Sequence, residues 1–216
     1  NNSLETTRSF LQESSHVIIT LGTAWGYILN QDERLVANCH KVAQSNFTKK
    51  IFSSEEIKKS LAEICNIIWK LNKDVKIIFT VSPVRHLKDG FVENQLSKAN
   101  LITALHEYRK ELKLKFDKKT KYFPSYEIVM DELRDYRFYD KDMIHLSEIG
   151  IDYIWGRFKE SWIAPEVFSI MKEVNSIQKG LEHRPFNEDS PQHREFLEKL
   201  SLRIEKLQVK IPSIKF

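Results

Sequence analysis

The sequence predicts an α/β fold, a parallel sheet sandwiched by helices with a helical extension after it. Two apolar, β-branched runs, His16–Leu21 (HVIITL) and Val75–Val81 (VKIIFTV), lack the alternation of a one-sided strand and end abruptly at Gly22 and at Ser82-Pro83. Between and after them the apolar spacing switches to the helical period, and beyond Pro165 no strand pattern recurs.

The elements follow in order. Residues 3–14 place Leu4, Phe10 and Leu11 among polar residues, as the end of an amphipathic helix. His16–Leu21 reads as a central strand buried on both faces. Residues 25–37 alternate around Asn30-Gln31-Asp32-Glu33, which predicts a hairpin excursion leading to Asn38-Cys39-His40-Lys41. Ser53 and Ser54 before Glu55 and Glu56 open a helix that runs to about Leu71 and breaks at Asn72-Lys73-Asp74.

Val75–Val81 is the second buried strand, and proline cannot continue a central ladder past it. A long helix is predicted from Glu93 to about Phe116, counting Leu96, Leu101, Leu105 and Leu112 among its apolar positions. Tyr122-Phe123-Pro124 is a short third strand leading into a helical segment, Tyr126–Leu133. A last helix, capped by Ser147, carries Ile151, Ile154, Trp155, Phe158 and Trp162. The expected organisation is one domain over residues 1–164 and a helical extension over 165–216, two helices flanking His183–Pro191, with a protein partner or self-association as the extension's expected use.

Composition narrows the function classes. The formal charge is +4, but basic and acidic residues are interleaved, as in EEIKKSLAE, which describes solvated helix faces and gives no support to nucleic-acid binding. No apolar run approaches a membrane span, and NNSLETTRSF lacks the basic start and apolar middle of a signal peptide, so a cytoplasmic protein is expected. Cys39 and Cys65 have no zinc-ligand spacing and read as reduced thiols; no metal and no cofactor is expected.

In a parallel sheet the chemistry sits at the carboxyl ends of the strands. Gly22-Thr23, Ser82-Pro83 and the segment before His145 all fall there. Asp142-x-x-His145 offers a base and the carboxylate that orients it, although a helix-capping Ser147 beside a chance histidine explains the same residues. Asn38 and His40 either bind substrate or merely end the hairpin, and Cys39 between them is a reactive thiol or an inert one. Ser82 is an internal candidate nucleophile or a hydroxyl tying down the turn before Pro83. Arg85 binds an anionic substrate group or pairs with Asp131 or Asp135. His86 lies beside it.

DMIHLSEIGIDYIW resembles the last sequence block of the SGNH/GDSL hydrolases. TLGTAW (20–25), NCHK (38–41), TVSPVRHLKDG (80–90), NQLSKA (94–99) and YFPSYEIVMDELRDYRFY (122–139) resemble, in the same order, the bacterial GSCFA family. The resemblance covers about residues 1–165 and implies a three-layer αβα sandwich of SGNH type. In that family an N-terminal Gly-Ser-Cys-Phe-Ala motif carries the expected nucleophile. The string is not among these residues, so the nucleophile is expected upstream, with the first strand or strands of the sheet.

By resemblance His145 is the general base and Asp142 its orienting acid, with Leu146 where family members often carry proline. Gly22 and Thr23 occupy the oxyanion position, but Ala24 stands where SGNH enzymes place an asparagine. Backbone amides of 22–24, or the side chain of Asn38, are the expected replacements. Two functions follow: a serine-dependent ester hydrolase or acyltransferase acting on a small-molecule or carbohydrate ester, or a non-catalytic binding or scaffold protein on a decayed site.

Overall fold

The computed structural model describes residues 2–36, 38–39, 41–115, 120–187 and 190–216. They belong to two compact units, residues 1–155 and 156–216. The first contains α1 (Asn2–Glu13), β1 (His16–Leu21), β2 (Trp25–Leu29), β3 (Arg34–Val36), β4 (Phe47–Ile51), α2 (Ser54–Leu71), β5 (Lys76–Val81), α3 (Phe91–Lys115), β6 (Thr120–Phe123), α4 (Ser125–Glu127) and the start of α5 (Glu148–Trp162). The fold is mixed α/β, with a parallel sheet flanked by helices.

Among the described residues that sheet has the order β1-β5-β6, both pairs parallel, with Leu21 opposite Val81 and Thr80 opposite Phe123. All three strands therefore end at one edge. Ile77, Phe79 and Val81 of β5 pack into one core with Ile57, Leu61, Cys65 and Ile68 of α2 and Leu101, Ala104, Leu105 and Tyr108 of α3. Burying a side chain the size of Phe79, which is fully enclosed, contributes roughly 2–3 kcal/mol. On the other face, Ser125 of α4 hydrogen bonds Thr80 Oγ1 at 2.6 Å and the Val81 carbonyl at 2.7 Å.

The expectation that β1 is a central strand buried on both faces is corrected here. Among the described residues it is an edge strand, with Val17, Ile19 and Leu21 against the core and His16, Ile18 and Thr20 exposed, Ile18 by 53%. A β-branched run suits a pleated surface whether one face or both are covered, so the residue types alone did not separate the two cases.

The predicted hairpin is present, with Ile28 opposite Leu35. A third strand, β4, joins it along β2, pairing Tyr27 with Lys49 and Ile28 with Thr48. Only the ends of FTKKI are partly buried, which left it without a strand signal. The α2 start is a complete capping box of Ser53 and Glu56. At its other end Asn72 donates its side-chain amide to the Leu11, Gln12 and Ser14 carbonyls, fastening the end of α1.

The long helix starts two residues earlier than expected, and its predicted end at Phe116 lies outside the described residues. Residues 125–132 are helical, but α4 continues as a π-helix, Ile128–Glu132, closed by the Leu133 amide on the Ile128 carbonyl at 3.2 Å. Such turns are rare and often lie at functional sites.

The second unit holds the rest of α5 with α6 (Phe168–Glu182) and α7 (Pro191–Lys210). Ile177, Leu200 and Leu207 form its buried centre, and Arg203 ties the helices together through Glu173 at 2.9 Å and Ser176 at 2.8 Å. Ser190 caps α7, with Pro191 in its first turn. No helix among the described residues is long and apolar enough to cross a membrane.

Candidate active site

The carboxyl ends of β1 and β5 are stitched together by one face of α3. Asn94, Ser97 and Lys98 are all buried there, on the same helical stripe as Leu101, Leu105 and Tyr108. The Lys98 ammonium, fully enclosed, donates to the Gly22 carbonyl at 2.6 Å and to the Ser82 carbonyl at 2.7 Å. Burial disfavours its charge and pulls its pKa down to about 8. The Ser97 hydroxyl accepts the Ala24 amide at 2.7 Å and lies 3.0 Å from Thr23 Oγ1, which in turn accepts the Trp25 amide at 3.2 Å. Asn94 Oδ1 accepts the His86 amide at 2.9 Å.

Gly22, Thr23, Ser82 and His86 are thus brought to one place. A Cβ on Gly22 would stand 3.7 Å from His86 Nε2. Burial, and then the Lys98 charge, push the His86 pKa below its ordinary value, with Asp89 opposing. The donors expected from 22–24 are partly committed: the Ala24 amide and the Thr23 hydroxyl are spent on scaffold contacts. Ser82 Oγ accepts the Val84 amide at 3.3 Å and so holds the turn before and after Pro83. Asn38 is exposed in the segment after β3, and His40 lies outside the described residues.

The second half of the site is the loop between β6 and α5. Tyr139 and Leu146 form an antiparallel bridge, the Asp140 amide donates to the His145 carbonyl at 2.9 Å, and the Met143 amide donates to the Asp140 carbonyl at 2.9 Å. Ser147 N bonds the Phe138 carbonyl at 2.9 Å and Ser147 Oγ the Arg137 carbonyl at 2.9 Å, so Ser147 closes the loop as well as preceding α5. Within it Asp142 uses both oxygens. Oδ1 accepts the Ile144 and His145 amides at 2.8 and 2.9 Å, and Oδ2 lies 2.6 Å from His145 Nδ1. The His145 contact first, then those two amides, hold the Asp142 carboxyl down at about 2.

This geometry selects a tautomer. A carboxylate facing Nδ1 keeps the proton there and leaves Nε2 as the acceptor, which is the form a general base requires. The His145 side chain is 64% exposed, open to a reacting group. The price is local strain: Met143, between the two, has φ +61°, a conformation that costs a non-glycine residue about 1 kcal/mol.

The two halves are joined by Arg85. Its guanidinium donates to the Met143 carbonyl and lies over the Tyr139 ring, 5.2 Å from the centroid. The expected ion pair of Arg85 with Asp131 or Asp135 is not formed: Asp131 pairs with Arg134 at 3.0 Å and Asp135 with Arg137 at 3.1 Å. Neighbours in sequence reach those carboxylates first. Beside the loop a shallow cavity of about 220 Å³ is lined by Arg85, Leu133, Tyr136 and Tyr139, with Val129 and Met130 from the π-helical stretch.

The sequence assigns no role to Lys98, Ser97 and Asn94, and counts Leu96 among the apolar positions of the helix. Leu96 is 50% exposed. The signal was available: Lys98 precedes Leu101 and Leu105 at helical spacing, so the buried stripe runs through a lysine.

A family model described as GSCFA family matches residues 1–158, and one described as GSCFA domain protein, C-terminal domain, matches residues 174–216. No curated protein and no solved structure matches the chain.

Proposed function

The chain belongs to the GSCFA family, and on that premise we propose that it is the base-bearing part of a serine-dependent ester hydrolase or acyltransferase of SGNH type. The observation that carries this is the Asp142–His145 contact of 2.6 Å in a loop that commits both carboxylate oxygens. A serine supplied from sequence preceding residue 1 attacks the acyl carbonyl and gives its proton to His145 Nε2. Asp142 stabilises the imidazolium so formed, and His145 returns the proton to the leaving alkoxide. Water or an acceptor hydroxyl then takes the acyl group from the serine by the reverse sequence.

The developing oxyanion needs donors that remain uncommitted. With the Ala24 amide held by Ser97, the amides of Gly22 and Thr23 are assigned this task. The substrate is an ester small enough to present one group to the cavity of about 220 Å³ beside the loop. That volume is below the usual range for a whole ligand, about 300–1,000 Å³. The exposed Tyr136 and the Tyr139 ring suit the apolar faces of a sugar, in line with an O-acylated carbohydrate.

The commitment of Thr23 and Ala24 to Ser97 favours a second reading, a binding protein on the same fold without turnover. One experiment separates them. The product of the complete reading frame is treated with a fluorophosphonate probe, as wild type and as His145→Ala. Labelling of the wild type that is lost in the variant supports the enzyme. Equal labelling of both removes His145 from the mechanism, and no labelling of either favours the binding protein.

A further inference from the structure

The internal bonds of the 139–147 loop employ the carbonyls of Asp140 and His145; that of Met143 is met from outside, by Arg85. Met143 stands between Asp142 and His145, and the Asp142 turn closes on the amides of 144 and 145 only while residue 143 keeps its left-handed backbone. A methionine does not hold that conformation unaided; the surroundings must over-determine it.

Arg85 is well placed to do so. Two residues near it in the chain are themselves anchored: the Ser82 carbonyl by Lys98 at 2.7 Å and the His86 amide by Asn94 at 2.9 Å. Its guanidinium rests on the Tyr139 ring, at the start of the same loop. A guanidinium stays charged across the working pH range and presents its donors in a fixed plane, so it fixes direction as well as distance. The path runs without interruption from α3, through the 82–86 segment, to the dyad.

We infer that Arg85 is a positioning residue for the Asp142–His145 pair, acting through the Met143 carbonyl to keep the strained backbone, and with it the Nδ1-protonated imidazole, in place. This gives Arg85 a task other than substrate binding or an ion pair. It rests on the reading of His145 as the base, but its test needs no substrate.

The test is NMR of the 216-residue chain, following the ¹⁵N shifts of the His145 ring at alkaline pH, where an imidazole is neutral, and the carboxyl ¹³C of Asp142 through acid pH. Wild type should show the Nδ1–H tautomer and an Asp142 midpoint of about 2. In Arg85→Met the tautomer should become mixed and the midpoint should rise toward the ordinary aspartate value of about 3.9. Adding Met143→Gly to that variant should restore both, because glycine adopts the left-handed backbone without a clamp.

Should Arg85→Met fail to fold, Arg85→Gln takes its place in the same comparison. A folded Arg85 variant with the wild-type tautomer and midpoint overturns the inference, and so does failure of the glycine to rescue. If the intact protein takes no fluorophosphonate while the NMR shifts move as expected, the catalytic reading falls and the positioning role stands.

Discussion

The Lys98 ammonium donates to the Gly22 carbonyl over 2.6 Å from a position with no solvent exposure. Its second bond, to the Ser82 carbonyl, joins the two parallel strands just past their last rung, in which the Ser82 amide donates to the Leu21 carbonyl at 2.9 Å. A charge is expensive in such a place, and these two carbonyls are what compensates it.

Replacing Lys98 by Met should therefore cost about 2 kcal/mol at pH 7 by urea denaturation, since two enclosed carbonyls lose their donor while the ammonium's own desolvation cost is relieved. The pH dependence has a definite sign. With a folded pKa of about 8, below that of the unfolded chain, the unfolded state binds the extra proton between about pH 8 and 10.4. Wild-type stability then gains up to roughly 3 kcal/mol across that window, at about 1.4 kcal/mol per pKa unit. Lys98→Met lacks the gain, so the gap between the two should widen as pH rises from 8 to 10. A constant gap would show that Lys98 keeps its proton throughout.

Met143 tests the strain in the His145 loop. The residue is 41% exposed, so little burial is lost on substitution, and φ +61° dominates the outcome. Met143→Gly should lie within about 0.5 kcal/mol of wild type, relief of strain offsetting the greater freedom of the unfolded chain. Met143→Val should lose about 1–2 kcal/mol, because a β-branched residue tolerates the left-handed region poorly. Thermal denaturation of the pair measures the difference directly.

Gly150 lies in the first turn of α5, where alanine would ordinarily gain about 1 kcal/mol of helix propensity. Here a Cβ would meet the Phe138 carbonyl oxygen at 2.8 Å, and that oxygen already accepts the Ser147 amide. Gly150→Ala should instead destabilise by about 1–2 kcal/mol and speed hydrogen exchange at Ser147, as the carbonyl is driven from its partner. A stabilised variant with unchanged exchange would refute this account of the close approach.

Much of the frame was legible because it depends on local pattern. The Val75–Val81 run, the Ser53–Glu56 box and the hairpin at 25–36 each state their conformation within a few residues, and all three are found. The Asp142–His145 contact was legible too: a carboxylate three residues before a histidine in a loop can reach its ring, and Asp142 does. What failed was inference from residue type alone. Leu96 was counted among the apolar positions of its helix and Lys98 was given no role, yet the leucine is exposed and the lysine enclosed, because two carbonyls 76 and 16 residues away complete its shell. Of the two readings of Arg85, an anionic substrate group or a nearby carboxylate, the second gave way because those carboxylates had partners two and three residues away in their own segment.

The sequence by itself determined where the strands other than β4, the helices and the Asp142–His145 loop lie, since periodicity, capping and turn chemistry act over a handful of residues. The tertiary structure decided which groups meet at the sheet's edge: Lys98 with Gly22 and Ser82, and Arg85 with Met143. Those contacts join residues 16 to 76 positions apart, and their partners are backbone carbonyls, which every residue carries and no sequence pattern marks.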